Sequence, residues 1–427
     1  MQRAVGAGVL ALVLSAGGVS GQSPRIMQGP MIGAVEPESV LLWARLTGPF
    51  EVYAELSRDA SFTDVIRSPV MTASKEDDYC LDIPIHGLEP GTEYHYRILV
   101  DRRLDRYWRG RPAATLSTAP AGPAAFRLAM GSCARFSIDR VQPIWDVVAA
   151  SEPDLFFWLG DNIYGDALDS DILADEYKRQ RDIASFQPVL HAVPQLAVWD
   201  DHDFGLNDFA GDHPAKDEAL EVFEQYWANG SYGTDDTPGT FFAYSYGGVD
   251  FFMLDGRYHR TPNDEPDGPD KTMLGEAQLE WLKDGLRESE APFKVIVCGS
   301  GWTLQKGPTG DSWSAFRHER DELFATIMDE RIEGVVLISG DTHLGELNAI
   351  RLAEGGGYDL YELVSSPLAQ VPNRRDRTLG ENEERIYPAF RLSPNVGIVD
   401  FDMTSDDPVL RYNLRDVYGQ HVWEPFE

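Results

Sequence analysis

The chain has 427 residues, 43% of them hydrophobic and 11% aromatic, which excludes a disordered or fibrous protein and suffices for a large core shared between two domains. Its 70 acidic against 37 basic residues give a formal charge of -33, a balance that suits a secreted or salt-exposed surface and argues against nucleic acid as a general partner. Any phosphate handled by such a chain has to be bound locally, by metal or arginine.

Residues 1–22 place one Arg ahead of a short apolar run and then small residues, the pattern of a cleavable export signal with maturation near Gly21 or Gln22. No twin-Arg pair is present there, which favours the general secretory route. No other apolar stretch approaches the ~20 residues needed to span a bilayer, so the expected product is a secreted or periplasmic monomer. Residues 25–118 hold short alternating segments at Ser39–Ala44, Phe50–Leu56 and Tyr94–Val100, which predict a small β-sandwich. The phrase from Leu88 to Tyr94 resembles the loop and corner tyrosine of fibronectin-type-III-like domains. Ser117 to Pro123 reads as a linker.

A catalytic domain is expected over 124–427, where apolar strands alternate with helical text in an α/β layer arrangement. Strands are predicted at Phe126–Met130, Leu155–Leu159, Gln195–Trp199, Val249–Leu254, Phe293–Cys298 and Gly334–Ile338, and helices near Val141–Ala150, Asp217–Ala228, Gly275–Leu286 and Arg317–Asp329. Later segments such as Tyr361–Ser365 and Val396–Met403 return to strand-like text and could extend or flank the main sheet. Three cysteines are too few for a disulfide framework; Cys80 and Cys298 read as buried strand positions, with a bridge between them left open.

Four strands end in short polar phrases: Gly131-Ser132-Cys133, Gly160 to Tyr164, Asp200-Asp201-His202-Asp203 and Gly340 to His343. Ligands of open α/β sheets gather at the carboxyl ends of strands, so these phrases are expected to converge. They offer thiolate, phenolate, carboxylate and imidazole. Hard oxygens suit calcium, magnesium, manganese or ferric iron, and the softer donors favour a transition metal, so two unlike metals fit. Such a pair ~3.5–4 Å apart is a standard device for phosphoester hydrolysis. No Walker-type loop and no Gly-x-Ser-x-Gly elbow competes with this reading.

Taken in order, these phrases together with Trp199 to Gly205 and Leu254 to Arg257 resemble the PhoD-like alkaline phosphatases, a branch of the calcineurin-like metallophosphoesterases related to purple acid phosphatases. The resemblance implies a four-layer α/β/β/α sandwich behind the N-terminal sandwich, and hydrolysis of small phosphate mono- or diesters by metal-activated water. It implies Cys133, Asp161, Tyr164 and His343 as ligands of Fe(3+), with Asp161 bridging to Ca(2+) shared with Asp201 and Asp341, and Asn207 as a further calcium ligand or supporting group. His202 is placed near the leaving group with Asp203 orienting it, and Arg257 offers a fork for phosphate oxygens. A phosphodiesterase or phospholipase-type specificity is the alternative within enzymes; a metal-stabilised binding protein without turnover is the alternative outside them. The other seven histidines, His86, His95, His191, His213, His259, His318 and His421, read as surface or packing residues, and Trp313 as a loop anchor near the pocket. Two arginine-rich stretches, Arg97 to Arg111 and Arg374 to Arg377, read as solubilising text or as a positive rim.

Overall fold

A computed structural model describes residues 23–105, 108–109, 113–353, 357–373 and 382–427. The expected export signal, Arg106, Arg111, Arg374, Arg375 and Arg377 lie outside the described residues.

The N-terminal part pairs a three-stranded sheet of Ile26–Val35, Ser39–Leu46 and Cys80–His86 with a second sheet built around Glu51–Ser57 and Glu93–Val100. Alternation along Glu93–Val100 puts Tyr94, Tyr96, Ile98 and Val100 inside, as the period of two requires. The Tyr94 hydroxyl accepts the Glu89 amide at 2.9 Å and so ties the preceding loop to the sheet. The expected linker begins as part of this sandwich: the Thr118 hydroxyl donates to the Glu89 carbonyl at 2.6 Å and accepts the Thr92 amide at 3.0 Å.

Beyond it, two mixed sheets lie face to face. The first runs in the order Gln195–Val198, Leu155–Leu159, Ala125–Gly131, Asn395–Asp402, Val409–Asp416; the second runs Phe242–Tyr246, Val249–Met253, Phe293–Val297, Val335–Ser339, Leu360–Val364, Glu346–Ile350. Inner-face residues Leu128, Phe157 and Leu159 meet Phe251, Met253 and Val295, with Phe157 edge-on to Phe251 at 4.9 Å. Outer-face Phe156 and Trp158 pack with Trp145 of helix Ile144–Ala150, and Phe252, Ile296 and Leu337 pack under helices Glu276–Glu288 and Arg317–Asp329. Burial on both faces explains why these strands read as unbroken apolar runs. The layers are α/β/β/α, as expected. The strand Asn395–Asp402 joins the first sheet antiparallel to Ala125–Gly131, so the late strand-like text extends the sheets.

Among the described residues, the helices Ser170–Arg181 and Gln187–Ala192 and the single helical turn Asp201–Phe204 escaped the sequence reading. The first is capped by the Asp169 carboxylate, which accepts the Asp171 amide at 3.0 Å. All three cysteines are free and buried, Cys80 and Cys298 in separate clusters, so the bridge left open between them does not form. The Arg97 side chain pairs with Glu55 at 2.8 Å and covers the Phe62 ring, a structural use of that charge.

Candidate metal centre

The strands Ala125–Gly131, Leu155–Leu159 and Gln195–Val198 of one sheet and Val335–Ser339 of the other end at the same edge. The ends approach closely: a Cβ on Gly340 would stand 2.5 Å from the Ser132 Cβ, and one on Gly160, at φ +82, 2.6 Å from the Asp200 Cβ. Only glycine fits either place. The residues that follow take a costly conformation: Cys133 (φ 61), Asp161 (φ 51), Asp341 (φ 63) and His343 (φ 54) all lie in the left-handed region. Such backbone strain clusters at functional sites.

Three groups of side chains follow one another across this edge: Cys133, Asp161 and His343; Asp161, Asp201 and His202; and Asp201, Asp208 and Asp311, each with its ligand atoms within 4.8 Å of one another. Asp161 is common to the first two and Asp201 to the last two. The Cys133 sulfur lies 3.3 Å from Asp161 Oδ2, and the Tyr164 hydroxyl lies 3.1 Å from both Asp161 Oδ2 and His343 Nε2. Ser366 Oγ supports the sulfur at 3.2 Å and accepts the His343 amide at 3.0 Å.

Burial and the neighbouring Asp201, Asp200 and Asp341 push the Asp161 carboxyl well above its usual range. Burial likewise raises the Cys133 thiol and Tyr164 phenol, and with Lys306 and His202 nearby lowers His343 to about 4. Like charges in one buried space cannot all ionise unless a cation joins them. Asp161 Oδ1 and Asp200 Oδ2 are buried with no hydrogen-bond partner, though buried carboxylate oxygens are ordinarily satisfied. These orphaned oxygens, the thiol, phenol and imidazole fit bound metal, with the soft donors collected at Cys133 and His343 and the hard ones at Asp161, Asp201 and Asp208.

Several roles differ from expectation. His202 pairs through Nδ1 with Asp166, and its ring lies 4.1 Å from that of Tyr164. Asp203 does not orient it. That carboxylate instead accepts the amides of Asn162 (3.1 Å), Ile163 (3.3 Å) and Asp200 (3.1 Å) and the Tyr177 hydroxyl (3.0 Å), holding the loop that carries Asp161 and Tyr164. Arg257 is fully buried; its fork meets Asp311 at 2.6 and 3.0 Å and its Nε meets Asp200 at 2.5 Å, so the guanidinium is taken up by carboxylates of the site. The partly exposed guanidinium at the site is Arg135, 4.9 Å above the Tyr164 ring and 3.5 Å from Asp166. Asn207 is exposed, and its neighbour Asp208 reaches the carboxylate group in its place. Asp341 is engaged by Lys306. Trp313 is the expected anchor, fully buried and stacked on Trp302 at 4.2 Å. None of the seven remaining histidines joins these three groups.

A two-sheet α/β/β/α sandwich with this donor set at the shared carboxyl edge defines a metallophosphoesterase-type protein. Within that class the chain belongs to the PhoD-like phosphatase family, whose model matches residues 128–406, while the model of the family's N-terminal domain matches residues 13–118. The chain is 23% identical to alkaline phosphatase D of Bacillus subtilis (strain 168) over 370 residues, 72% of this chain and 62% of that protein, so the match spans under two thirds of the relative's length. The solved structure of PhoD superposes with a TM-score of 0.76 at 19% identity, covering 93% of this chain and 92% of the other. A purple acid phosphatase from yellow lupin (Lupinus luteus) seeds follows at TM-score 0.62 and 13% identity, covering 93% and 73%.

Proposed function

We propose that this chain is a secreted phosphoesterase that hydrolyses small phosphate esters by water at a metal centre shared through Asp161. The observation that carries the reading is the position of Asp161, within ligand distance of Cys133 and His343 on one side and of Asp201 and His202 on the other, with one carboxylate oxygen unsatisfied. Cys133, Asp161, Tyr164 and His343 would hold ferric iron, and Asp161 and Asp201, with Asp208 and Asp341 beside them, would hold calcium. When bound, the metals supply Lewis acidity toward phosphate oxygens and lower the pKa of water.

The chain's own residues do the rest. In its imidazolium form His202 would donate its Nδ1 proton to Asp166 and pass its Nε2 proton to the departing oxygen, a role worth roughly 10²–10⁴ in rate. Arg135, whose guanidinium lies 4.9 Å above the Tyr164 ring, would meet the phosphate in the role first given to Arg257. Asp203 and Arg257 hold the loops that present the ligands. The boundaries 25–118 and 124–427 complete the proposal, with residues 1–22 as an export signal and a monomer as the working unit.

Chromogenic phosphate monoesters and diesters, assayed with iron and calcium content measured in the same preparation, test the reading. Turnover by the native chain and its loss in Asp161→Asn are expected; the ratio of the two substrate rates separates phosphatase from diesterase preference. A metal-loaded protein that turns over neither substrate overturns it.

A further inference from the structure

The loops that carry the polar groups of the centre also carry bare apolar side chains. Among the described residues ten large apolar side chains are exposed, and four of them, Ile138, Leu168, Leu206 and Val371, stand on these loops at 36 to 56% exposure. Two more, Val141 and Ile172, follow three and four residues after Ile138 and Leu168. Backbone bonds tie these positions to the site. The Ile138 amide donates to the Arg135 carbonyl at 3.1 Å, closing one turn after the guanidinium that lies above Tyr164. Val371 lies between Ala369 and Asn373. The Ala369 amide donates to the Cys133 carbonyl at 3.0 Å and its carbonyl accepts the Arg135 amide at 3.1 Å, while the Asn373 amide donates to the His343 carbonyl at 2.9 Å. Leu168 comes two residues after Asp166, the partner of His202, and Leu206 comes just after the helical turn Asp201–Phe204 that presents His202. The Gly165 amide donates to the His202 carbonyl at 3.2 Å, which joins the loop of Leu168 to the turn before Leu206.

Single apolar side chains on a surface are ordinary, but their gathering on the loops of one site marks a place where a ligand covers them. In the proposed function the phosphate meets the metal centre and Arg135, and His202 faces the departing oxygen. The carbon attached to that oxygen is then nearest the loops of Leu168 and Leu206, which adjoin His202. We propose that this apolar rim seats the organic group of the ester, so that the chain prefers phosphate esters of apolar alcohols and phenols over those of sugars and glycerol. The phosphate answers Arg135 and the hydrocarbon answers the rim. The formal charge of -33 and the exposed Asp166 and Asp208 beside the rim repel an anionic lipid surface, which leaves the substrate's own apolar group as the occupant. The inference rests on the phosphoesterase reading and gives its substrate class.

Isothermal titration of the metal-loaded full chain with n-alkylphosphonates, which present the phosphate-like head on a carbon–phosphorus bond and offer no ester to cleave, tests it without reading turnover. A fully buried methylene is worth about fourfold in affinity and a half-covered one about twofold. Octylphosphonate, kept below its critical micelle concentration, is therefore expected to bind at least about tenfold tighter than ethylphosphonate. Leu168→Ser combined with Leu206→Ser, both at exposed positions, is expected to cut that ratio to about threefold or less. Equal affinity for the two phosphonates, or a double variant that keeps the native ratio, overturns the proposal. Two other results also overturn it: retention of the native chain on phosphatidylcholine vesicles without a chain-length advantage assigns the rim to a lipid surface, and a dimer in light scattering that the double variant dissociates assigns it to a second copy. A chain that shows the advantage and hydrolyses no ester sinks the enzymatic reading alone, whereas one that turns over short esters without the advantage sinks this inference alone.

Discussion

Asp166 stands beside His202 where its sequence neighbour Asp203 was expected, and Asp203→Ala separates the two positions. The Asp203 carboxylate accepts four buried donors, the amides of Asn162, Ile163 and Asp200 and the Tyr177 hydroxyl, at 3.0 to 3.3 Å. A buried donor left unsatisfied costs about 1–3 kcal/mol, and because water can enter the space vacated by the carboxyl the lower end applies, giving about 4 kcal/mol for the four. That energy is local to the loop carrying Asp161 and Tyr164. Amide hydrogen exchange at Asn162, Ile163 and Asp200 should therefore quicken by about 10³-fold, with strands such as Val295–Val297 unaffected. Metal content should fall, while the dependence of the remaining rate on leaving-group pKa stays native. Native exchange at these amides, or a leaving-group dependence altered as in a His202 variant, would refute the assignment.

His202→Ala and Asp166→Asn should both slow alkyl phosphates roughly 10²-fold or more while sparing esters of acidic phenols, because a good leaving group needs little protonation; an equal loss on both substrates contradicts the general-acid role. Tyr164→Phe and Cys133→Ser should each erase or shift a broad visible charge-transfer band in the iron-loaded protein and lower its iron content; a colourless, active native enzyme without iron contradicts the ligand assignment. In the N-terminal sheet, burial alone pushes the Asp82 carboxyl to about 7. The folded state then holds its proton more tightly than the unfolded state, so stability is lost as pH rises from about 4 through 7. Asp82→Asn should match the native chain in thermal melts near pH 4 and exceed it by about 2–4 kcal/mol above pH 8; parallel melting curves at both pH values would contradict this.

The strands that position the centre were legible because burial on both faces writes them as apolar runs such as Leu155–Leu159, and each donor phrase follows directly from one of them. The helix Ser170–Arg181 was not legible, because its inward face contains Leu173, Ala174 and Tyr177 but also Gln180 and Arg181, polar residues whose burial no periodicity announces. The partner of His202 was misplaced for a geometric reason. His202 and Asp203 are consecutive in the helical turn Asp201–Phe204, where adjacent side chains diverge, so Asp203 turns inward and His202 meets Asp166 from another loop. Arg257 was misjudged because its partners, Asp200 and Asp311, are 57 and 54 residues away in sequence and meet it only through the sheet order. Lys306 and Asp311 share a loop whose text has no periodic pattern, and only the fold brings it over the carboxylates.

The N-terminal sandwich is also part of how the centre is held. The Arg181 guanidinium lies 4.8 Å from the ring of Trp43, which belongs to that sandwich, and 4.7, 5.3 and 5.3 Å from the rings of Trp227, Tyr226 and Tyr177. Burial lowers its pKa only to about 10, so it remains a cation at neutral pH, attracted by four aromatic faces. Trp43 also donates its indole N–H to the Gln225 carbonyl at 2.7 Å, and the Tyr96 hydroxyl donates to the His191 carbonyl at the same distance. Tyr177 is both a wall of the cage around Arg181 and a donor to Asp203, whose other oxygen holds the Asn162 amide beside Asp161. From Trp43 to Asp161 the contacts are continuous: an aromatic cage, a phenol, a carboxylate and the metal-binding loop. A lysine at position 181 would keep the charge but lose the planar group that stacks on several rings at once, so the cage specifically requires arginine.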